Sequence, residues 1–328
     1  MRSEQDNILI SGFCMVRNAT KLYYPVRASI ESILPIVDEF VVALGNCDAD
    51  DHTLEEIQKI KSDKIRIIHT VWNLEEYPNG TEYAHQTDIA KNECKGKWLF
   101  YIQSDEVVHE KCLPVIKRAC EKFENDKEVE GFVFDYMHFW GDYSHYVVSH
   151  AWYDKEIRIV RNDPDIHSWR DAQSFRRIPD FDGKNFAQKE NTFKLNVVKI
   201  NASIYHYGWV RPPRLMQKKR VLMDSDYHGS DEAKRRHERA ANAFDYGNLN
   251  KLKIFKGHHP AVMKEFIKKF DWEFQLYPHL MTYQKHKHDR FKYRVLSFIE
   301  QNFLGGNQIA NSKNYNLLSR NTEPAQNH

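Results

Sequence analysis

The chain has 328 residues, 41% of them hydrophobic and 13% aromatic, which allows one large core with additions and excludes a globally disordered chain. The net charge is only +2, but residues 211–294 hold 20 Lys and Arg against 10 Asp and Glu, while the rest of the chain carries 28 against 36. A basic segment of this kind suits phosphates, an anionic partner or a membrane surface. The five cysteines (Cys14, Cys47, Cys94, Cys112 and Cys120) are odd in number and form no C-x-x-C pair, so neither a disulfide framework nor a zinc site is implied. Met1–Asn7 is polar and no run reaches the ~18–20 apolar residues of a membrane span. The expected location is cytoplasmic.

In chain order, strand-length apolar runs alternate with helical spacing. Ile8–Val16 reads as a strand, Leu22–Leu34 as a helix, Glu39–Leu44 as a second strand and Thr53–Ile60 as a short helix. Ile65–His69 and Trp98–Ile102 are further strands with a helix over Thr81–Cys94 between them, followed by a helix over Leu113–Phe123 and a strand over Gly131–Tyr136. This alternation predicts an α/β fold, a mostly parallel sheet with helices on both faces. Ligands of such sheets sit outside the carboxyl ends of the strands. Beyond Phe139 the character changes. Residues 138–153 are rich in Tyr, Trp and His, Glu156–Val160 and Ala202–Tyr207 look strand-like, and 163–189 is irregular. After Pro212-Pro213 the pattern is helical and basic to about Phe303, and 305–328 reads as a disordered tail.

The strand ends carry the chemistry. Trp98-Leu-Phe-Tyr-Ile-Gln-Ser-Asp-Glu106 runs a hydrophobic strand straight into Asp105 and Glu106. Carboxylates placed there can hold a hard divalent ion, or Asp105 can cap the following helix. The second strand ends in Asp48, Asp50 and Asp51, which can hydrogen-bond ribose hydroxyls or form an Asp-rich turn with a helix cap at Asp51 or Thr53. The first strand ends in Arg17 and Asn18.

These three strand ends, in this order, resemble the family-2 glycosyltransferases. The approach Ala90-Lys-Asn-Glu-Cys-Lys-Gly-Lys-Trp98 resembles that family too, and the likeness covers roughly residues 8–210. The resemblance implies a GT-A fold over residues 1–210, with a nucleotide-sugar-binding half (8–125) and an acceptor half (126–210). A basic helical region (211–304) and the tail (305–328) would follow. It implies a sugar transferred from a nucleotide diphosphate to a glycan or lipid-linked acceptor, with Mn²⁺ or Mg²⁺. Surface polysaccharide or lipopolysaccharide synthesis would be its setting. The family's D-x-D falls on Gln103-Ser104-Asp105, where Gln103 offers a carbonyl oxygen but no charge. Asp105 therefore carries over as metal ligand, with Glu106 beside it. Arg17, Asn18, Asp48, Asp50, Asp51, Gln103 and Ser104 carry over to the nucleotide sugar. Asp171, after Trp169-Arg170, carries over as the general base of an inverting transfer. His206 in Tyr205-His-Tyr-Gly-Trp-Val-Arg211 carries over as a further metal ligand, with Arg211 and Lys218 near the diphosphate.

Two other classes compete. A sugar nucleotidyltransferase needs a Gly-rich basic loop after the first strand, where this chain has Arg17-Asn-Ala-Thr-Lys21. A non-catalytic binding module of the same fold is favoured by Gln103 and opposed by Asp105, Asp171 and His206. In the basic C-terminal region, helical spacing points to a solvated face and not to nucleic acid, and a peripheral membrane contact fits that region.

Overall fold

The computed structural model describes residues 8–238, 240–276, 285–309, 313–320 and 322. Its first half has the element order that the resemblance implies. Strands β1 (Ile10–Val16), β2 (Glu39–Leu44), β3 (Ile65–His69) and β4 (Trp98–Tyr101) lie parallel in the order β3-β2-β1-β4. Helices α1 (Val26–Ile33), α2 (Thr53–Gln58), α3 (Thr81–Asn92) and α4 (Leu113–Lys122) connect them or follow. Both faces of these strands are covered. Ile10, Cys14, Trp98 and Phe100 enter one apolar cluster, and Phe13, Leu99 and Tyr101 enter another. Burial on both faces makes the runs continuous instead of alternating, which is why they stand out in the sequence. Gly12 and Gly96 allow close approach: a Cβ would lie 2.5 Å from the Phe40 ring at the first and 2.6 Å from the Ser11 amide nitrogen at the second.

The second half turns antiparallel. β8 (Lys155–Arg161) pairs with β4 and with β6 (Gly131–Trp140), and β7 (His145–Val147) closes a hairpin on β6. β5 (Glu106–Val108), only three residues long, follows β4 after a turn. The long strand β11 (Asn196–Trp209) runs parallel to β6 and antiparallel to β5. A small hairpin of β9 (Ile166–Trp169) and β10 (Ser174–Arg177) stands apart.

The C-terminal part differs from expectation. It contains α5 (Pro213–His228), α6 (Ser230–His237), a four-residue α7 (Lys264–Ile267) and α8 (Phe291–Phe303), but much of 240–276 is turns and short 3₁₀ segments. Tyr246, Leu249, Met263, Trp272 and Leu276 share one apolar cluster with Phe139, Trp140 and Tyr207, so this region packs onto the sheet. The segment read as a disordered tail is partly ordered. In it, β13 (Asn316–Leu317) pairs with β11 and Tyr315 is buried; well before it, β12 (Lys253–Ile254) pairs with β7. Residues 323–328 lie outside the described residues. No described helix is long and apolar enough to cross a membrane.

Candidate functional site

The turn after β4 delivers Asp105 to the end of β11. Glu106 is paired with His206 in the β5–β11 register, and the Tyr207 amide donates to the Asp105 carbonyl at 2.7 Å. The parallel β6–β11 pairing sets His138 beside His206. Both imidazoles are buried. Burial and mutual repulsion push His138 down to about 3, and burial pushes His206 down to about 4, so both rings are neutral near pH 7.

Hydrogen bonding then fixes the tautomers. His138 Nε2 lies 2.8 Å from the Tyr153 carbonyl, which can only accept, so Nε2 carries the proton and Nδ1 a lone pair. That Nδ1 lies 2.9 Å from His206 Nδ1, which must therefore donate. His206 Nε2 is left with a lone pair, 3.7 Å from Asp105 Oδ2. Burial raises the Asp105 carboxyl, but the protonated form that His206 takes in acid, together with Lys219 and Arg211, more than offsets it and holds it below the ordinary value, so Asp105 is a carboxylate near pH 7. A carboxylate and an imidazole lone pair facing one another repel unless a cation joins them. A carboxylate oxygen and an imidazole nitrogen are donors that a divalent ion such as Mn²⁺ accepts, with the remaining positions of its shell open to other oxygens. No cluster of three or more His, Cys, Asp or Glu suited to a metal occurs among the described residues.

Gly208 keeps the space open: a Cβ there would sit 2.6 Å from both Asp105 Oδ2 and His206 Nε2. Its carbonyl accepts from Lys219 Nζ at 2.9 Å and from Arg211 at 3.0 Å. Lys219 Nζ is also 3.6 Å from Asp105 Oδ2, and burial and the Arg211 charge pull its pKa down to about 7.

Several sequence expectations are corrected. Glu106 is not available to a metal. It is fully buried in a two-pronged pair with Arg158 (2.8 and 2.7 Å) and also accepts from the Tyr136 hydroxyl at 2.7 Å and the Gln103 amide at 3.1 Å. Lys218 is exposed, because the phase of α5 turns Lys219 inward instead. Arg211 is fully buried, donates to the Leu22 and Gly208 carbonyls and stacks 4.5 Å from the Tyr24 ring, so it supplies field and not contact. Asp51 is an anchor: it accepts from Thr20, from the Lys21 amide and from the Thr53 amide that opens α2. Asp48 and Asp50 share Lys21 at 2.7 and 2.5 Å, and Asn18 accepts from the Asp48 amide at 2.8 Å. The Gln103 side-chain amide nitrogen donates to the Ala172 carbonyl at 3.2 Å. Ser104 is half-buried between Gln103 and Asp105. Arg17 lies 5.3 Å over the Trp72 ring, at the ends of β1 and β2.

The Gln103–Ala172 bond ties the β9–β10 turn to the Asp105 strand end. Arg170 and Ala172 on that turn both have positive φ (59° and 60°), and Asp171 between them accepts from Tyr227 of α5 at 2.9 Å. Asp171, Trp169, Tyr227 and Lys184 line a cavity of about 630 Å³. Of the aromatics in 138–153, Phe139 and Trp140 are core, while Trp152 lines a smaller pocket of about 390 Å³ with Trp209. Sequence reasoning missed His138, Lys219, Tyr136 and Arg158 as members of this site. Only Lys219 had a signal, the helical spacing from Met216.

Sheet and cleft together define an α/β protein whose strand ends bring a buried carboxylate, a lone-pair imidazole and a buried amine to one point, an arrangement suited to a cation and a polyanion. No family model and no curated protein matches the chain. Among solved structures it is similar to S. aureus TarS, with a TM-score of 0.36 and 13% identity, covering 71% of this chain and 44% of that one. It thus spans less than half the length of that protein. It is also similar to TarS 1-349 in complex with UDP (0.34, 15%, covering 67% and 65%). A third is glucosyl-3-phosphoglycerate synthase from Mycobacterium tuberculosis in complex with Mn²⁺, UDP and phosphoglyceric acid (0.28, 17%, covering 40% and 44%).

Proposed function

We propose that the chain is a GT-A glycosyltransferase that moves a sugar from a nucleotide diphosphate to a glycan or lipid-linked acceptor. The observation that carries the reading is the opposed Asp105 carboxylate and His206 lone pair, 3.7 Å apart, with Lys219 beside them. Asp105 and His206 are the residues that would hold Mn²⁺ or Mg²⁺. When bound, such an ion neutralises charge on the departing diphosphate.

The chain's own groups do the rest. Lys219 sits where negative charge builds on the leaving group, and its burial keeps that interaction in a low-dielectric setting. Arg211 adds a fixed positive field from behind. Arg17 over Trp72, with Asn18 and the Asp48–Asp50 turn, forms the end of the cleft that receives the nucleoside. Asp171 takes the proton of the acceptor hydroxyl as its oxygen attacks the anomeric carbon, which gives inversion. Tyr227 holds one Asp171 oxygen, and the other has no partner among the described residues, so it is free for that proton. The acceptor enters the 630 Å³ cavity that Asp171 lines.

The test is calorimetric titration with UDP and GDP, each with Mn²⁺ and with chelator, on the wild type and on Asp105→Asn. Metal-dependent binding that the substitution abolishes is the expected result. Equal binding by both proteins would remove Asp105 from the metal role. Failure of both nucleotides, and of dTDP and CDP after them, would leave the non-catalytic module as the better reading.

A further inference from the structure

The last long helix, α8, turns an apolar stripe outward. Its inward side is held by polar anchors beside half-buried Tyr293 and Leu296: Ser297 accepts from the His150 amide at 2.9 Å, and Glu300, 2% exposed, accepts from His150 Nδ1 at 2.6 Å and from the Ile309 amide at 2.8 Å. Its outward side is apolar. Phe291 is 83% exposed, Phe298 62% and Val295 41%, and the spacing i, i+4, i+7 places all three on one stripe. Helices of water-soluble domains arrange these faces the other way round.

Charge identifies what the stripe meets. At 100° per residue, Lys292 flanks it on one side and Arg294 on the other, both exposed. Lys285, Lys287 and Arg290 precede the helix, while Asp289, the acid among them, is held by the His286 amide at 3.0 Å. At the helix end, Phe303 (73% exposed), the last residue of α8, and Leu304 (41%), the one after it, extend the apolar surface. Large apolar side chains at the centre with long cations at the flanks match the boundary of an anionic bilayer. There the rings enter the acyl region and the cations reach back to the headgroups.

We propose that α8 is a membrane-surface docking helix that lays Phe291, Val295 and Phe298 into an anionic lipid leaflet. The proposal does not depend on the catalytic reading, since α8 contributes no residue to the Asp105 cleft.

The experiment is co-sedimentation of the full chain with vesicles of phosphatidylcholine alone, and with vesicles of equal parts phosphatidylcholine and phosphatidylglycerol. The wild type should bind the anionic vesicles and release in high salt. F291S/F298S should weaken binding at least about tenfold, and K292Q/R294Q should lose the preference for anionic lipid. Both variants alter exposed side chains, and their nucleotide titrations should match the wild type, which separates failure here from failure of the transferase reading. Wild-type binding that the Phe substitutions leave unchanged would overturn the proposal, as would no binding at all. A concentration-dependent dimer abolished by F291S/F298S would overturn it too, by assigning the stripe to a second copy of the chain.

Discussion

At the scale of single residues, the site depends on a proton that must be absent. His138 and His206 are buried and neutral, with pKa values pushed down to about 3 and about 4. In the unfolded chain each has the ordinary value near 6.5. Between those limits the unfolded state binds more protons than the folded one, so stability falls as pH drops below 6.5. The slope is up to about 1.4 kcal/mol per pH unit for each ring. Thermal melts from pH 7 to pH 4 should show this loss, and His138→Gln should remove part of the slope. A flat profile would mean the rings protonate freely in the fold. The same substitution breaks the tautomer chain, so Mn²⁺-dependent nucleotide affinity should fall about 10–100-fold. Asp105 and His206 were legible as strand-end candidates because a strand running into an acid, or a His near a strand end, is a local pattern. His138 was not, because its partner lies 68 positions away and only strand register joins them. Glu106 misled for the same reason: whether an acid faces an ion or an arginine is decided by Arg158, 52 residues on. Arg158→Met should destabilise the fold by about 3–5 kcal/mol by leaving Glu106 buried and unpaired, readable as a shift in the urea midpoint.

At the scale of elements, α5 links the two ends of the proposed reaction. Lys219 and Tyr227 are eight residues apart on it, about 12 Å along the axis. The first reaches Asp105, and the second Asp171. A third contact, from the Tyr83 hydroxyl to Asp226 at 2.7 Å, fastens the helix to α3. Helix phase makes a clear prediction. Lys219→Ala should weaken UDP–Mn²⁺ binding about tenfold or more, whereas Lys218→Ala, one position along on the exposed side, should change it less than about twofold. Equal effects from the two would mean α5 is rotated from the position seen here. Basic runs such as Gln217-Lys-Lys-Arg220 identify a charged helix without saying which cation turns inward. The phase is set by Met216, which is fully buried. Elements β1 to β4 were legible to within two residues at each end, because buried parallel strands are continuous apolar runs bounded by turns. The three-residue β5 and β7 were not, since nothing local distinguishes them from loop; pairing with β11 and β6 makes them strands.

At the scale of the whole molecule, the C-terminal polar segment has a structural role that its composition hides. Asn314 accepts from Arg176 through its side chain at 3.0 Å and donates to Glu156 at 3.2 Å. Tyr315 buries its ring in the same cluster as Phe13 and Tyr101. β13 adds a parallel edge to β11, where the Asn316 amide donates to the Leu195 carbonyl at 2.9 Å and the Leu318 amide to Val197 at 2.8 Å. Arg320 then pairs with Asp126 and Glu128 at the end of the α4 loop. A segment rich in Asn, Gln and Ser reads as disordered because it lacks periodic apolar residues, yet one buried tyrosine and a strand's worth of main-chain bonds hold it. Removing it exposes the β11 edge and leaves Arg176 and Glu156 short of partners in a largely buried site. A chain ending at residue 304 should therefore unfold at a lower urea concentration, by roughly 2 kcal/mol or more, and gain a tendency to associate through the bared strand. An unchanged urea midpoint and a monomeric elution profile would show that the segment rests on the sheet without supporting it.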